Sequence, residues 1–428
     1  MQLDQASRNE LQTREIALAA QYQQYLQQKL NLDLTRGKPS AHQLDLSDPL
    51  DGILAGDYRA KDGTDTRNYG GLEGIMEARE LGAAILGLEP SQVLAGGNSS
   101  LTLMHHALLF SWLYGPAEGE TPWRSETAIK FICPVPGYDR HFTLCEELGI
   151  EMITVPMTPD GPDMDQVEAM VRANAAIKGI WCVPKYSNPT GAVYSDAVMN
   201  RIARLGTIAS TNFRVFMDNA YGVHDLRESA PQLANIMSYC RKHGTENSVF
   251  QFTSTSKISF AGAGIAFLGA SLSNLASFKN HLGGLSIGPD KVNQLRHCRM
   301  FPNIQALRAR MREHAELLRP KFATVLEYLE NHFSGKAIGE WQEAQGGYFI
   351  SFNTRPGLAR EVVRLAAEAG VKLTPAGATF PYGKDPQDSN IRIAPSVPTI
   401  EEVEAAMQVF VTCVELSTVR QLLRQKTR

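Results

Sequence analysis

The sequence contains no C-x-x-C pair. Its six cysteines, Cys133, Cys145, Cys182, Cys240, Cys298 and Cys413, stand singly, which removes zinc ribbons and thioredoxin-type motifs and makes reduced thiols the expectation. Its ten histidines form neither H-E-x-x-H nor H-x-H, and the adjacent His105 and His106 point to different faces of any helix, so no metal site is expected. No apolar run approaches the ~20 residues of a membrane span. The opening MQLDQASRNELQT is polar and mixed in charge, so a cytoplasmic protein with no membrane partner is expected. There is also no run of like charge: 42 basic and 45 acidic side chains leave a net charge of -3. Nucleic acid or an anionic surface would need a basic face, so the expected partners are small molecules and copies of the chain itself.

What is present describes a folded globule. With 43% hydrophobic and 20% charged residues over 428 positions, the chain can bury a substantial core and is too long for one small module. A Gln-rich stretch, residues 21–28, carries Tyr22, Tyr25 and Leu26 on a narrow stripe and predicts a leading helix. The middle alternates β-rich runs at 128–133, 151–155, 178–183, 214–218, 248–253 and 264–270 with helical spacing such as Met164, Val167, Met170 and Val171, the signature of an α/β layer. Beyond residue 300 the pattern changes to a long charged helix (304–331), a strand (347–352), a helix (358–369), a short strand (391–393) and a closing helix from Ile400. The expected division is an N-terminal segment, 1–45, belonging to a smaller α+β domain, a large domain, 46–300, and a C-terminal small domain, 301–428.

Open α/β sheets bind ligands at the carboxyl ends of their strands. Four such ends here carry unusual side chains: Pro136-Gly137-Tyr138-Asp139-Arg140-His141, Lys185-Tyr186-Ser187-Asn188-Pro189-Thr190-Gly191, Asp218-Asn219-Ala220-Tyr221, and Ser254-Thr255-Ser256-Lys257. Lys257 follows an apolar strand and precedes the Gly-rich Ala261-Gly262-Ala263-Gly264. A lone lysine is ordinarily a solvated surface charge, but an amine in a crowded loop loses solvation, drops its pKa and becomes fit for imine chemistry. Asp218 closes an apolar strand, where it is either a helix cap or ion-pair partner, or the counter-charge of a cationic ring nitrogen. Upstream, Gly96-Gly97-Asn98-Ser99-Ser100 opens a helix whose free amides and hydroxyls suit an anion.

Together these motifs resemble the fold-type-I pyridoxal-phosphate (PLP) enzymes of aminotransferase class I/II. Asn188-Pro189-Thr190-Gly191, Asp218-Asn219-Ala220-Tyr221 and Ser254-Thr255-Ser256-Lys257 stand in that family's order, with Tyr69-Gly70 before them and Arg392 after. Within it the chain is similar to the divergent aspartate aminotransferases related to the catalytic part of MocR-type regulators. The resemblance implies an α/β fold with a mainly parallel seven-stranded sheet in a large domain plus a smaller α+β domain, and a homodimer with shared sites. It implies that Lys257 forms the Schiff base with PLP and that Asp218 faces the pyridine nitrogen. Asn188 and Tyr221 would bond the ring's phenolic oxygen while Tyr138 stacks on its face. Asn98, Ser99, Ser100, Ser254 and Ser256 would hold the phosphate, with Tyr69 supplied by a second subunit. Arg392, whose other reading is an exposed ion pair, would grip the substrate α-carboxylate beside Gly37 and Asn188. The implied reaction is ping-pong transamination of L-aspartate or glutamate with 2-oxoglutarate, the alternatives being another donor or a C–S β-lyase.

One departure is visible. Family members usually place an arginine about eight residues after the lysine to clamp the phosphate, where this chain has Gly264 and Ile265; backbone amides, or a cation such as Arg36 or Lys38, are the expected substitutes. Arg36 and Lys38 are also the candidates for reading a side-chain carboxylate. Two rivals come from other classes. Ser254-Thr255-Ser256-Lys257 satisfies S-x-x-K, as in serine acyltransferases, but no K-[ST]-G follows. A cofactor-binding sensor without turnover would have no use for the acid–base set. Gly262-Ala263-Gly264 is not a dinucleotide fingerprint, because Phe267 occupies the third glycine's position.

Overall fold

The computed structural model describes residues 3–426. In chain order the strands are β1 (Leu32–Asp33), β2 (Val93–Ala95), β3 (Lys130–Val135), β4 (Glu151–Thr158), β5 (Gly161–Pro162), β6 (Ile177–Cys182), β7 (Arg214–Asp218), β8 (Val249–Ser254), β9 (Ala266–Ala270), β10 (Gly339–Trp341), β11 (Ile350–Thr354), β12 (Val371–Lys372) and β13 (Asn390–Ile393). One large sheet runs in the order β2-β9-β8-β7-β6-β3-β4-β5. From β8 through β7, β6 and β3 to β4 all neighbours are parallel, whereas β9 lies antiparallel between β8 and β2.

The sheet therefore has eight strands rather than seven. The addition is β5, two residues that fold back antiparallel on the end of β4 and are too short to leave an alternation in the sequence. The central strands read as continuous apolar runs because both faces are covered. Phe131, Trp181, Phe216, Phe250 and Phe252 point into one core with the helix Ser100–Tyr114. Ile132, Ile180, Val215, Met217 and Val249 point into the other, with the helices Met164–Ala173, Asp196–Arg204 and Ile236–His243.

A separate core joins the two ends of the chain. The helix Ile400–Gln425, opened by a capping box of Thr399 and Glu402, buries its faces against the long helix Ile304–Phe333, the antiparallel sheet β10-β11-β13, and the leading helix. The leading helix spans Arg8–Gln27, thirteen residues earlier than the Gln-rich stripe indicated, because Ser7 and Glu10 form a capping box that starts it. β1 pairs in parallel with β12, so the N-terminal segment is tied to the C-terminal third.

Two strands begin later than their patterns suggested. Gly264 and Ile265 close the loop before β9: Thr255 N–H donates to Ile265 C=O and Ile265 N–H to Thr255 Oγ1, both at 2.8 Å. Gly346 and Gly347 precede β11 because the chain passes over the Tyr186 ring there; a Cβ on Gly346 would lie 2.2 Å from that ring.

Candidate active site

Parallel pairing brings the carboxyl ends of β3, β6, β7 and β8 to one rim, and the antiparallel return into β9 folds residues 255–265 over it. A cavity of about 200 Å3 opens at this rim. Ser99, Ser100, Tyr138, Asn188, Asp218, Tyr221, Ser254, Ser256 and Lys257, from five separate stretches of chain, all line it. A larger cavity of about 570 Å3 adjoins it, sharing Tyr138, Asn188, Tyr221 and Lys257 and adding Gly37 and Arg392.

Lys257 Nζ lies 5.0 Å from the centroid of the Tyr221 ring. Withdrawal from water lowers its ammonium below the ordinary lysine range, and the Asp218 carboxylate pulls the other way. Burial, reinforced by Asp218 and Asp139, pushes the Tyr138 phenol up to about 12; burial raises Tyr221 well above its usual value. Both phenols thus keep their protons at neutral pH and can donate.

Asp218 is neither a helix cap nor paired with a surface cation. Its Oδ2 meets His141 Nε2 at 3.0 Å, and the His141 ring stacks on Trp181 with centroids 4.2 Å apart. Its Oδ1 is buried without a partner among the described residues. An orphaned carboxylate oxygen in a cavity is costly, so the site is shaped for a donor that comes with a ligand. The hydroxyls of Ser99, Ser100, Ser254 and Ser256 stand where the helix Ser100–Tyr114 begins, a place suited to a phosphoryl group. These features fit a phosphorylated pyridine: nitrogen toward Asp218, phosphate toward the serines, carbonyl carbon toward Lys257.

Asn98 is outside the cavity wall and braces it: its Nδ2 donates to Gly262 C=O at 2.9 Å, and its own carbonyl accepts from Ser256 Oγ at 3.0 Å. Tyr69 lines no part of this cavity and is 83% exposed. Arg36 and Lys38 line the outer cavity and not the serine cradle, so neither stands in for the clamping arginine. Ile265 is buried, and among the described residues Lys257 is the one cation on the wall of the inner cavity. The S-x-x-K reading has no support in the geometry: Ser254 Oγ bonds Ser256 Oγ at 3.1 Å instead of the lysine amine.

Arg392 enters on β13, flanked by core-facing Ile391 and Ile393, and is buried rather than an exposed ion pair. Its Nη1 donates to Asp139 Oδ1 at 3.0 Å and Asn188 Oδ1 at 3.2 Å, and its Nε to Thr374 Oγ1 at 3.3 Å. The Phe349 ring lies 4.9 Å beneath the guanidinium. Gly37 is needed beside it: a Cβ there would fall 2.6 Å from Phe349.

Several supporting residues escaped the sequence reading. His141 stood in the Tyr138 motif without an assigned role. Behind Lys257 lies a buried network. His224 Nε2 (3.3 Å) and Tyr348 Oη (3.4 Å) both reach Lys257 C=O. Gln43 Nε2 donates to Tyr348 Oη and His314 Nδ1, each at 2.9 Å, and His314 Nε2 meets Ile258 C=O at 3.1 Å. Carbonyls only accept, so Nε2 carries the proton in both histidines. One helix, Lys291–Met300, pins three loops. Lys291 Nζ donates to the carbonyls of Asn68 and Gly70, Asn293 to those of Ala263 and Gly264, and Gln294 to those of Ala95 and Gly96. No linear motif marks these residues, because their partners are backbone atoms about 30 to 220 positions away.

A mainly parallel sheet carrying a desolvated lysine, an unsatisfied acid and a hydroxyl cradle on its rim defines a fold-type-I PLP-dependent aminotransferase. The family model for aspartate amino-transferase matches residues 6–426. An aspartate aminotransferase of Corynebacterium glutamicum is 48% identical over 389 residues, covering 91% of this chain and 90% of that protein. The crystal structure of an aspartate transaminase from the same species superposes with a TM-score of 0.95 at 44% identity, over 99% of each chain. At 20% identity, the α-aminoadipate aminotransferase LysN of Thermus thermophilus, complexed with N-(5'-phosphopyridoxyl)-L-leucine, shares the fold (TM-score 0.73, covering 98% of this chain and 96% of that one). The chain belongs to the aspartate amino-transferase family, and the family implies PLP as cofactor. Among the described residues no helix is long and apolar enough to cross a membrane, and no group of three side chains is arranged to hold a metal ion.

Proposed function

We propose that the protein transfers the amino group of L-aspartate or L-glutamate to 2-oxoglutarate in a ping-pong cycle, with Lys257 as the catalytic base. The observation that carries this reading is the placement of a desolvated lysine and an unpartnered Asp218 oxygen on one cavity, with a buried arginine on the next. When bound, PLP supplies a carbonyl carbon for imine exchange and a ring that spreads the electrons left at the substrate Cα. Lys257 Nζ, whose basicity is lowered by burial, would take the Cα proton of the bound amino acid and return it on the cofactor side. Asp218 Oδ1 would hold the ring nitrogen, and His141 fixes the carboxylate through Oδ2. Tyr221 and Asn188 would orient the ring, Tyr138 would cover it, and Ser99, Ser100, Ser254 and Ser256 would hold the phosphate, with Asn98 bracing them.

Arg392 takes the α-carboxylate beside Gly37 and Asn188. Aspartate as donor is supported by the C. glutamicum relative's name. A homodimer is supported by the exposed side chains of Tyr69, Leu285 and Ile287, on segments that meet where Gly288 packs against Gly70; in such a dimer Tyr69 would reach the serine cradle of the other subunit. The pairing of β1 with β12 supports division into 1–45 with 301–428 as one domain and 46–300 as the other.

The test is a panel of amino donors with 2-oxoglutarate, run on the parent protein and Lys257→Ala. Acidic donors should lead, and the variant should lose at least about 10^3-fold in kcat. Borohydride reduction of the holoenzyme followed by peptide mapping should find the cofactor on Lys257; label on another lysine, or turnover surviving in the variant, would refute the assignment.

A further inference from the structure

A third cavity, of about 640 Å3, lies away from the site and shares no residue with either cavity described above. Two helices wall it, Met76–Leu86 and Lys291–Met300, together with the chain at 57–61 and 301–305. Leu81, Leu295, Phe301 and Ile304 give it an apolar lining, and Arg59, Lys61 and Arg299 balance Asp57, Glu77 and Glu80. An apolar hollow of this size with a few polar groups is the make-up of a small-molecule site. None of the exposed Tyr69, Leu285 and Ile287 of the proposed dimer face lines it.

Most of its charges are committed. Arg299 Nη2 pairs with Asp57 Oδ2 at 2.8 Å, and Lys61 Nζ approaches Glu80 Oε2 at 3.5 Å. Two groups are left. The exposed Arg59 donates through Nη1 to Gly63 C=O at 3.0 Å, and its guanidinium forms no ion pair among the described residues. Glu77, only 7% exposed, accepts from Lys61 N–H through Oε1 at 2.6 Å, while its Oε2 is buried with no partner among the described residues. A buried carboxylate oxygen left open is costly and calls for a donor. An open acid at depth, an unpaired guanidinium at the surface and a lining of balanced charge suit a ligand that carries both signs on an apolar body better than a simple anion or cation.

One wall of this cavity also reaches the serine cradle. Leu295, Cys298 and Arg299 line the cavity, and Gln294 beside them accepts from Ile75 N–H at 2.9 Å, at the head of the helix that carries Glu77. Gln294 Nε2 donates to the carbonyls of Ala95 (3.0 Å) and Gly96 (3.3 Å), which open the stretch leading into Ser99 and Ser100. A change in the spacing of the two helices is therefore passed to the cradle through Gln294. We propose that the cavity is an effector site for an α-amino acid with an apolar side chain, its ammonium on Glu77 Oε2, its carboxylate toward Arg59 and its side chain against Leu81, Leu295, Phe301 and Ile304, and that occupancy changes cofactor affinity. The coupling rests on the aminotransferase reading above; the binding does not.

The probe is L-leucine, titrated by calorimetry into the borohydride-reduced holoenzyme, in which the cofactor is fixed to Lys257 and amine exchange is blocked. Glu77→Gln removes the acid, and Ala84→Trp, at an exposed position on the cavity wall, fills the hollow. Leucine should bind the parent; Glu77→Gln should weaken it about 10-fold or more, the worth of a charge-assisted hydrogen bond, and Ala84→Trp should abolish it. N-acetyl-L-leucine, which lacks the ammonium, should not bind. In the cofactor-free protein, saturating leucine should shift the Kd of pyridoxamine phosphate about fivefold or more, and should not do so in Ala84→Trp. The site is overturned if leucine does not bind the reduced holoenzyme, if either folded variant binds it as tightly as the parent, or if N-acetyl-L-leucine binds equally well; an unmoved Kd for pyridoxamine phosphate overturns the coupling. A protein that takes up neither PLP nor pyridoxamine phosphate would overturn the aminotransferase reading, and leucine binding would then be read on the cofactor-free chain.

Discussion

Asp218 shows how one side chain is committed in two directions. Its Oδ2 is held by His141, which is itself clamped on Trp181, so the carboxylate cannot rotate to satisfy Oδ1 from the protein. Asp218→Asn keeps the shape but replaces an acceptor with an amide that cannot stabilise a protonated ring nitrogen. It should lower kcat by about 10^2-fold or more while the thermal midpoint of the cofactor-free protein stays within a few degrees. Steady-state kinetics and thermal denaturation, read together, separate the two. A variant with near-parental kcat would remove Asp218 from the chemistry.

At the scale of elements, the connection after β6 is joined to the chain entering β11. Tyr186 has a positive φ of 52°, and its hydroxyl donates to Asp225 Oδ1 at 2.6 Å, while the buried Lys185 reaches the same oxygen at 2.7 Å. Asp225 in turn bridges to Gly346, where the backbone lies against the Tyr186 ring. Removing this acid leaves Lys185 with the Gly222 carbonyl and the face of the Tyr186 ring. Because Asp225 is itself about a third exposed, Asp225→Ala should cost about 2–3 kcal/mol, below the figure for a fully buried pair. Urea denaturation checks this; an unchanged midpoint would mean that water replaces the carboxylate.

For the whole molecule, burial sets a pH dependence. Desolvation, helped by the charge of Lys257, pushes His224 down to about 3, and desolvation pushes His314 down to about 4. In the unfolded chain both titrate near 6.5. Between those values the unfolded state binds more protons, so stability rises with pH and is lost on acidification below about 6.5. Each histidine contributes a slope of about 1.4 kcal/mol per pH unit until its folded pKa is reached. Denaturation midpoints between pH 7 and 5 should fall accordingly, before most carboxylates titrate. A flat profile over that interval would show that these imidazoles are protonated in the fold.

The roles expected of Lys257, Asp218 and Arg392 came from the family resemblance, whereas local pattern alone was enough for the layer type and the four rim motifs. Each rests on short-range physics: apolar runs make buried strands, and polar residues at their ends must serve caps or ligands. The early start of the first helix was also written locally, in Ser7 and Glu10, and was outweighed by the more conspicuous Gln-rich stripe. The rest required the folded chain. β5 is two residues long, and Tyr348 reaches the Lys257 carbonyl, His314 the neighbouring Ile258 carbonyl and Gln43 both of those side chains, from positions about 60 to 210 residues away from Lys257. Which rim residues line the inner cavity and which, like Asn98, brace it from outside depends on how the loops pack. Such choices depend on distances between segments, and those distances exist only once the sheet has closed.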